Sequence, residues 1–131
     1  MNWQRGDVVL CRVPMPSTQL QQLKLRPAII VSADFLNQTL EDVLVVPCTF
    51  NTSRSQIATQ YLITGDEIVS VGIRVESVVR CESIFTLNQS MILRKLGSMS
   101  VEAVQSIDRC LSIALQLVSP DWLTNLFCRL G

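Results

Sequence analysis

Short apolar runs separated by polar punctuation occupy the first two-thirds of the chain. Residues 8–13 (VVLCRV) follow Gly6-Asp7 and predict a strand. A Gln-rich loop with Pro14 and Pro16 follows, over residues 14–23. Residues 28–32 (AIIVS) and 43–46 (VLVV) are continuous β-branched runs, the pattern of strands covered on both faces. Pro47 cannot donate to a ladder, so it is expected to end regular pairing or to mark an edge. Residues 59–63 (TQYLI) read as a weaker strand, and Gly65-Asp66 as a turn. Residues 77–87 (SVVRCESIFTL) suit one bent strand or two strands parted near Glu82-Ser83. Residues 91–96 (MILRKL) add a strand or a turn of helix, closed by Gly97.

The period changes after Gly97. Ser100 is placed as an N-cap with Glu102 in the first turn. Val104, Ile107, Leu111, Ala114 and Val118 then recur at helical spacing, with Gln105, Arg109, Ser112 and Gln116 opposite. This predicts an amphipathic helix over 100–118. Pro120, capped by Ser119, opens a short helical tail over 120–130, with Trp122, Leu126, Phe127 and Leu130 as its apolar stripe. The tail packs on the rest of the domain or forms a subunit surface. Strands followed by one helix give an α+β domain on a small antiparallel barrel.

At 131 residues, the chain is expected to be a single domain. Hydrophobic residues are 48% and charged ones 17%, an apolar balance that implies a large core or surface covered by a partner. No apolar run approaches the roughly 18 residues that span a bilayer, and the N-terminus does not read as a secretory signal; the expected location is cytoplasmic. The cysteines, Cys11, Cys48, Cys81, Cys110 and Cys128, form no C-x-x-C pair and read as buried, reduced thiols. Histidine is absent, which removes imidazole acid–base chemistry and most zinc sites. Lysine and arginine total 11, balanced by 11 acids, so no broad basic face is expected; a local basic groove remains open.

Several short signals, in order, carry a resemblance. They are Arg5-Gly6-Asp7-Val8-Val9, Lys24-Leu25-Arg26-Pro27-Ala28 with Ile29-Ile30-Val31-Ser32, and Val45-Val46-Pro47-Cys48-Thr49. Ser77-Val78-Val79-Arg80, Ile84-Phe85-Thr86-Leu87 and Leu93-Arg94-Lys95-Leu96-Gly97 follow, and Ile107-Asp108 lies in the closing helix. Over about residues 5–118 the chain resembles the MazF/PemK toxins of type II toxin–antitoxin pairs, in particular the PemK-like branch. The resemblance implies one domain over 1–131: an SH3-like antiparallel β-barrel over 5–97, then the helix over 100–118 and the tail outside the pattern. It further implies a homodimer, a cognate antitoxin and metal-independent cleavage of single-stranded RNA without a cofactor. The alternative is a catalytically weak module that binds the antitoxin and, through that complex, operon DNA.

Without metal, RNA is cut through its own 2′-hydroxyl, and the protein must stabilise the charge of the phosphorane. The resemblance assigns this to Arg26, whose fork matches phosphate bidentately, with Thr49 as the second catalytic position. Pro27 disfavours the α region at Arg26 and keeps it extended. Lys24, two residues earlier, shares the face of Arg26 and either binds phosphate or is a solvated loop lysine. Ser17, Thr18 and Gln19 fall in the loop that covers the groove in the family, which implies that they contact RNA. Arg80 and Glu82 form either a structural ion pair or the border of that groove. Arg5 and Asp7 are structural. Phe85 stands where many members carry Arg, and Ser83 where the branch often carries Lys, so the groove is expected to hold fewer cations.

Overall fold

The computed structural model describes residues 2–14, 23–50 and 57–118; the covering loop with Ser17, Thr18 and Gln19 and the tail over 120–130 lie outside them. Seven strands form an antiparallel sheet: β1 (Asp7–Pro14), β2 (Leu23–Ile30), β3 (Asp42–Thr49), β4 (Gln60–Ile63), β5 (Ser77–Arg80), β6 (Phe85–Asn88) and β7 (Ile92–Ser98). Three helices accompany them: α1 (Asp34–Thr39), α2 (Glu67–Ser70) and α3 (Val101–Ala114). A 3-10 turn at Gln89–Met91 leads into β7. No helix among the described residues is long and apolar enough to cross a membrane.

The ladder runs β4-β5-β3-β2-β1-β7, with β6 paired to β3 off this path. The two end strands do not pair with each other, so the sheet is open. This differs from the expected closed barrel: among the described residues β4, β6 and β7 each pair on one side alone.

The β-branched runs bury both faces of the sheet at Ala28, Ile29, Ile30, Val45 and Val46, while Leu44, inside the second run, is exposed. Val8, Ile29, Val46, Cys48 and Val79 pack on one face with Ala103, Ile107, Cys110 and Leu111 of α3. Val9, Cys11, Ala28, Ile30, Val43 and Val45 pack on the other with Trp3 and Leu87. Dispersion and burial from these close-packed side chains hold α3 to the sheet.

Pro47 does not end β3. It pairs with Ala28 on one side, and on the other it falls between two ladders. There β3 pairs with β6 up to Val45↔Phe85 and with β5 from Cys48↔Val79 onward. Its missing N–H therefore sits where β3 exchanges one neighbour for another. The long apolar segment is two strands, β5 and β6, parted at Cys81-Glu82.

Gly97 lies inside β7 and does not close it. A Cβ there would stand 2.7 Å from the Val71 carbonyl carbon, so glycine lets the segment after α2 pass against the strand. Gly72, at φ +80°, makes the reciprocal approach: a Cβ would lie 2.1 Å from the Leu96 carbonyl oxygen. These two bare positions seat the 72–75 segment directly on β7.

Ser100 caps α3 as expected, its Oγ accepting from the Ala103 N–H at 3.1 Å. The helix ends at Ala114, four residues short of the predicted 118. Gln116 takes a left-handed φ of +61°. The Leu117 N–H then reaches the Ser112 carbonyl at 2.7 Å and the Gln116 N–H reaches that of Ile113 at 3.1 Å. This is a Schellman closure on a residue other than glycine. Val118, assigned to the buried stripe from its spacing, is exposed.

The opening motif is a clamp. Arg5 donates from Nε to the Val31 carbonyl at 2.8 Å, pairs with Asp108 of α3, and donates its backbone N–H to Asp34 of α1 at 2.7 Å. Buried Asp7 accepts from the Gln4 N–H at 2.9 Å and meets Lys95 Nζ at 3.2 Å. Both residues are structural, as expected.

Candidate functional site

The β2–β3 pairing ends at Ala28↔Pro47. Two residues further out, β2 carries Arg26 and β3 carries Thr49. Because side chains alternate along each strand, Arg26 and Thr49 share a face, with Lys24 next on β2. Backbone pairing fixes Arg26: it stands opposite Cys11 on β1, whose thiol donates to the Arg26 carbonyl at 3.5 Å. The following Pro27, opposite Leu10, keeps the backbone extended.

Beside this strand end opens a cavity of about 330 Å³. Leu10, Leu25, Pro27, Cys48 and Leu96 give it an apolar lining, the first four on the face opposite Arg26 and Thr49. Lys24, Arg26, Arg74, Arg94 and Phe50 also line it. Thr49 is not itself a lining residue but lies between two that are.

The lining contains four cations and no carboxylate. None of the four forms an ion pair among the described residues; the ion pairs there are Arg5–Asp108, Arg80–Glu82 and Lys95–Asp7. Glu76, two residues after Arg74, instead accepts from Thr64 Oγ1 at 2.6 Å. The cavity is therefore a local positive field on a chain of zero net charge, the arrangement left open by composition.

Burial pushes the Cys48 thiol up to about 12 and the Cys11 thiol up to about 11, with Cys11 adding a smaller contribution to Cys48. Neither is a thiolate at neutral pH, so the site offers guanidinium, ammonium and hydroxyl groups and no cysteine nucleophile. Their linkage to folding has a definite sign. Both folded-state values lie above the ordinary 9.0, so the stability these thiols contribute is complete below pH 9 and lost as pH rises toward 11 and 12. The melting temperature is expected to fall across that window, less steeply in Cys48→Ala; equal slopes in the two proteins would contradict the assignment.

Arg80 and Glu82 form the expected ion pair at 3.9 Å, and Glu82 also accepts from Gln60 Nε2 at 2.7 Å. Arg80 ends β5 on the face of Val78 and Thr49, roughly 7 Å beyond the Thr49↔Val78 pair. Glu82 lies in the turn after β5, and neither residue lines the cavity. Sequence reasoning misses Arg74, Arg94 and Phe50. Arg94 appears in a quoted motif, but only its register with Leu10 on β1 shows that it reaches the site.

Phe85 and Ser83 leave their positions without charge, while β7 and the 72–75 segment supply Arg94 and Arg74.

A profile of the PemK-like, MazF-like toxins of type II toxin–antitoxin systems matches residues 4–115. The fold is similar to an endoribonuclease from a mycobacterial species, at TM-score 0.69 and 25% identity over 92% of this chain and 97% of that one. It is similar to a mycobacterial endoribonuclease solved with its cognate antitoxin, at TM-score 0.70 and 24% identity over 90% and 99% of the two chains. A MazE–MazF structure from Deinococcus radiodurans matches at TM-score 0.70 and 16% identity, over 90% of this chain and 99% of that one.

Proposed function

Because the chain belongs to the PemK-like, MazF-like toxins of type II toxin–antitoxin systems, we propose that it is a metal-independent endoribonuclease acting on single-stranded RNA. The observation that carries this reading is the cation cluster beside Arg26 and Thr49, unpaired with acids among the described residues. In the proposed reaction the 2′-oxygen attacks the adjacent phosphorus and gives its proton to solvent water. The P–O5′ bond breaks, a 2′,3′-cyclic phosphate forms, and the 5′-oxygen takes a proton from water as it leaves as a hydroxyl. Charge builds on the equatorial phosphate oxygens, where the Arg26 fork donates two parallel hydrogen bonds. The Thr49 hydroxyl, on the same face, donates to a phosphate oxygen or to the leaving oxygen. Lys24 adds charge without a fixed geometry.

The toxin acts as a homodimer and is restrained by a cognate antitoxin. Support for the antitoxin comes from the mycobacterial endoribonuclease of the same fold, solved with its own. The test is incubation with a long single-stranded RNA in EDTA, beside the same sequence as DNA. Cleavage of RNA alone, leaving 2′,3′-cyclic phosphate ends, is expected. Intact RNA over a wide range of sequences would defeat the enzyme reading and leave a binding module.

A further inference from the structure

We propose that the cavity beside Arg26 is a subsite for one nucleotide flanking the scissile phosphate, with Phe50 as a stacking plate for its base and Arg74 and Arg94 as the grip on its phosphate. The inference rests on the proposed RNA-cleaving reading and assigns three residues that reading does not use.

The argument begins with strand alternation. Thr49 and Phe50 are consecutive and turn to opposite faces, so an RNA strand held at Thr49 reaches Phe50 and the cavity by passing round the end of β3. Phe50 is 70% exposed and is the aromatic ring among the residues that line the charged cavity. A nucleobase offers a π-face of matching chemistry, and stacking tolerates any base.

The cations come from two elements locked together. Gly72 and Gly97 let the 72–75 segment lie on β7, so Arg74 and Arg94 line one cavity although twenty positions apart in sequence. Both side chains belong to exposed residues without an acidic partner among the described residues. Three of the four cations are arginines, whose planar fork suits phosphate oxygens. About 330 Å³ is at the small end for a ligand pocket and suits one nucleotide unit. An acidic peptide would use the same charges but leaves the exposed ring without a planar counterpart.

The test separates binding from cleavage. The probe is an eight-nucleotide, mixed-sequence, 2′-O-methyl oligoribonucleotide carrying fluorescein, which cannot be cut through a 2′-hydroxyl. Anisotropy titrations are run over a range of salt. Phe50→Ala is expected to weaken binding about 5- to 150-fold with an unchanged salt slope, and Phe50→Trp to restore it. Arg74→Ala and Arg94→Ala are each expected to lower the salt slope by about 0.7. All three residues are exposed, and unchanged melting curves verify that the variants fold.

Phe50→Ala binding within twofold of wild type, or both arginine variants keeping the full slope, would overturn the subsite even if RNA is cleaved. Arginine variants that lose only the binding of a polyglutamate peptide would overturn it too. Absence of RNA cleavage alongside the expected binding changes would sink the enzymatic reading and leave the nucleotide subsite standing.

Discussion

Arg26→Ala is expected to lower RNA cleavage by about 10²- to 10³-fold while leaving the melting temperature unchanged. The size follows from losing one preorganised donor group at developing charge. The unchanged stability follows from position: Arg26 lies beyond the last β2–β3 pair and makes no ion pair among the described residues. Its tie to the fold is its backbone, through Cys11 and Leu25–Pro27, which alanine keeps. Arg26→Lys keeps charge but loses the planar fork, so it should recover only part of the rate. Thr49→Ala should cost less than Arg26→Ala, because a neutral donor stabilises charge less than a guanidinium. Initial rates on one RNA, beside thermal melts, decide the matter. An Arg26→Ala enzyme within tenfold of wild type would transfer the role of Arg26 to Arg74 or Arg94.

Gly72→Ala is expected to be the most damaging single-methyl change in the described fold. Two costs add: a left-handed φ of +80°, and a Cβ placed 2.1 Å from the Leu96 carbonyl oxygen. Backbone strain contributes about 1–3 kcal/mol and forced overpacking about 1–3 kcal/mol. The sum is a large part of the roughly 5–15 kcal/mol that holds a typical domain together, and lowers the melting temperature by on the order of 10 °C. Gly65→Ala is the internal control. Gly65 also has a left-handed φ, of +63°, but nothing lies within 4 Å of its Cβ position. It should show the conformational cost of about 1–2 kcal/mol without the clash. If both variants melt together, the 72–75 segment does not rest on β7 as described, and the placement of Arg74 loses its support.

Where a chemical preference extends over many residues, the sequence is easy to read. The β-branched runs at 28–32 and 43–46 announce strands buried on two sides, and Ser100 with Glu102 announces the start of α3. Short features are harder. Asp34–Thr39 and Glu67–Ser70 complete too few turns to show a helical period, and Ala33 offers no capping side chain. The end of α3 is hidden because its left-handed residue is Gln116, not the glycine that usually signals closure. Gly97 reads as a stop from sequence, because the backbone of Val71 that needs the space arrives from 26 residues away.

The same divide runs through the site. Arg26 and Thr49 are legible through neighbouring residues in recognisable order. Arg74, Arg94 and Phe50 are not, because a cation or an exposed ring carries no local mark of the cavity it lines. Only the sheet register and the contact of two glycines with opposing backbone bring them together.

Arg5 has a consequence for how such chains are sorted. The residues that make the opening recognisable, Arg5, Gly6 and Asp7, hold α1, α3 and β7 to the sheet and contribute nothing to the cavity lining. The opening therefore speaks for the scaffold, and the groups around the end of β2 vary independently of it.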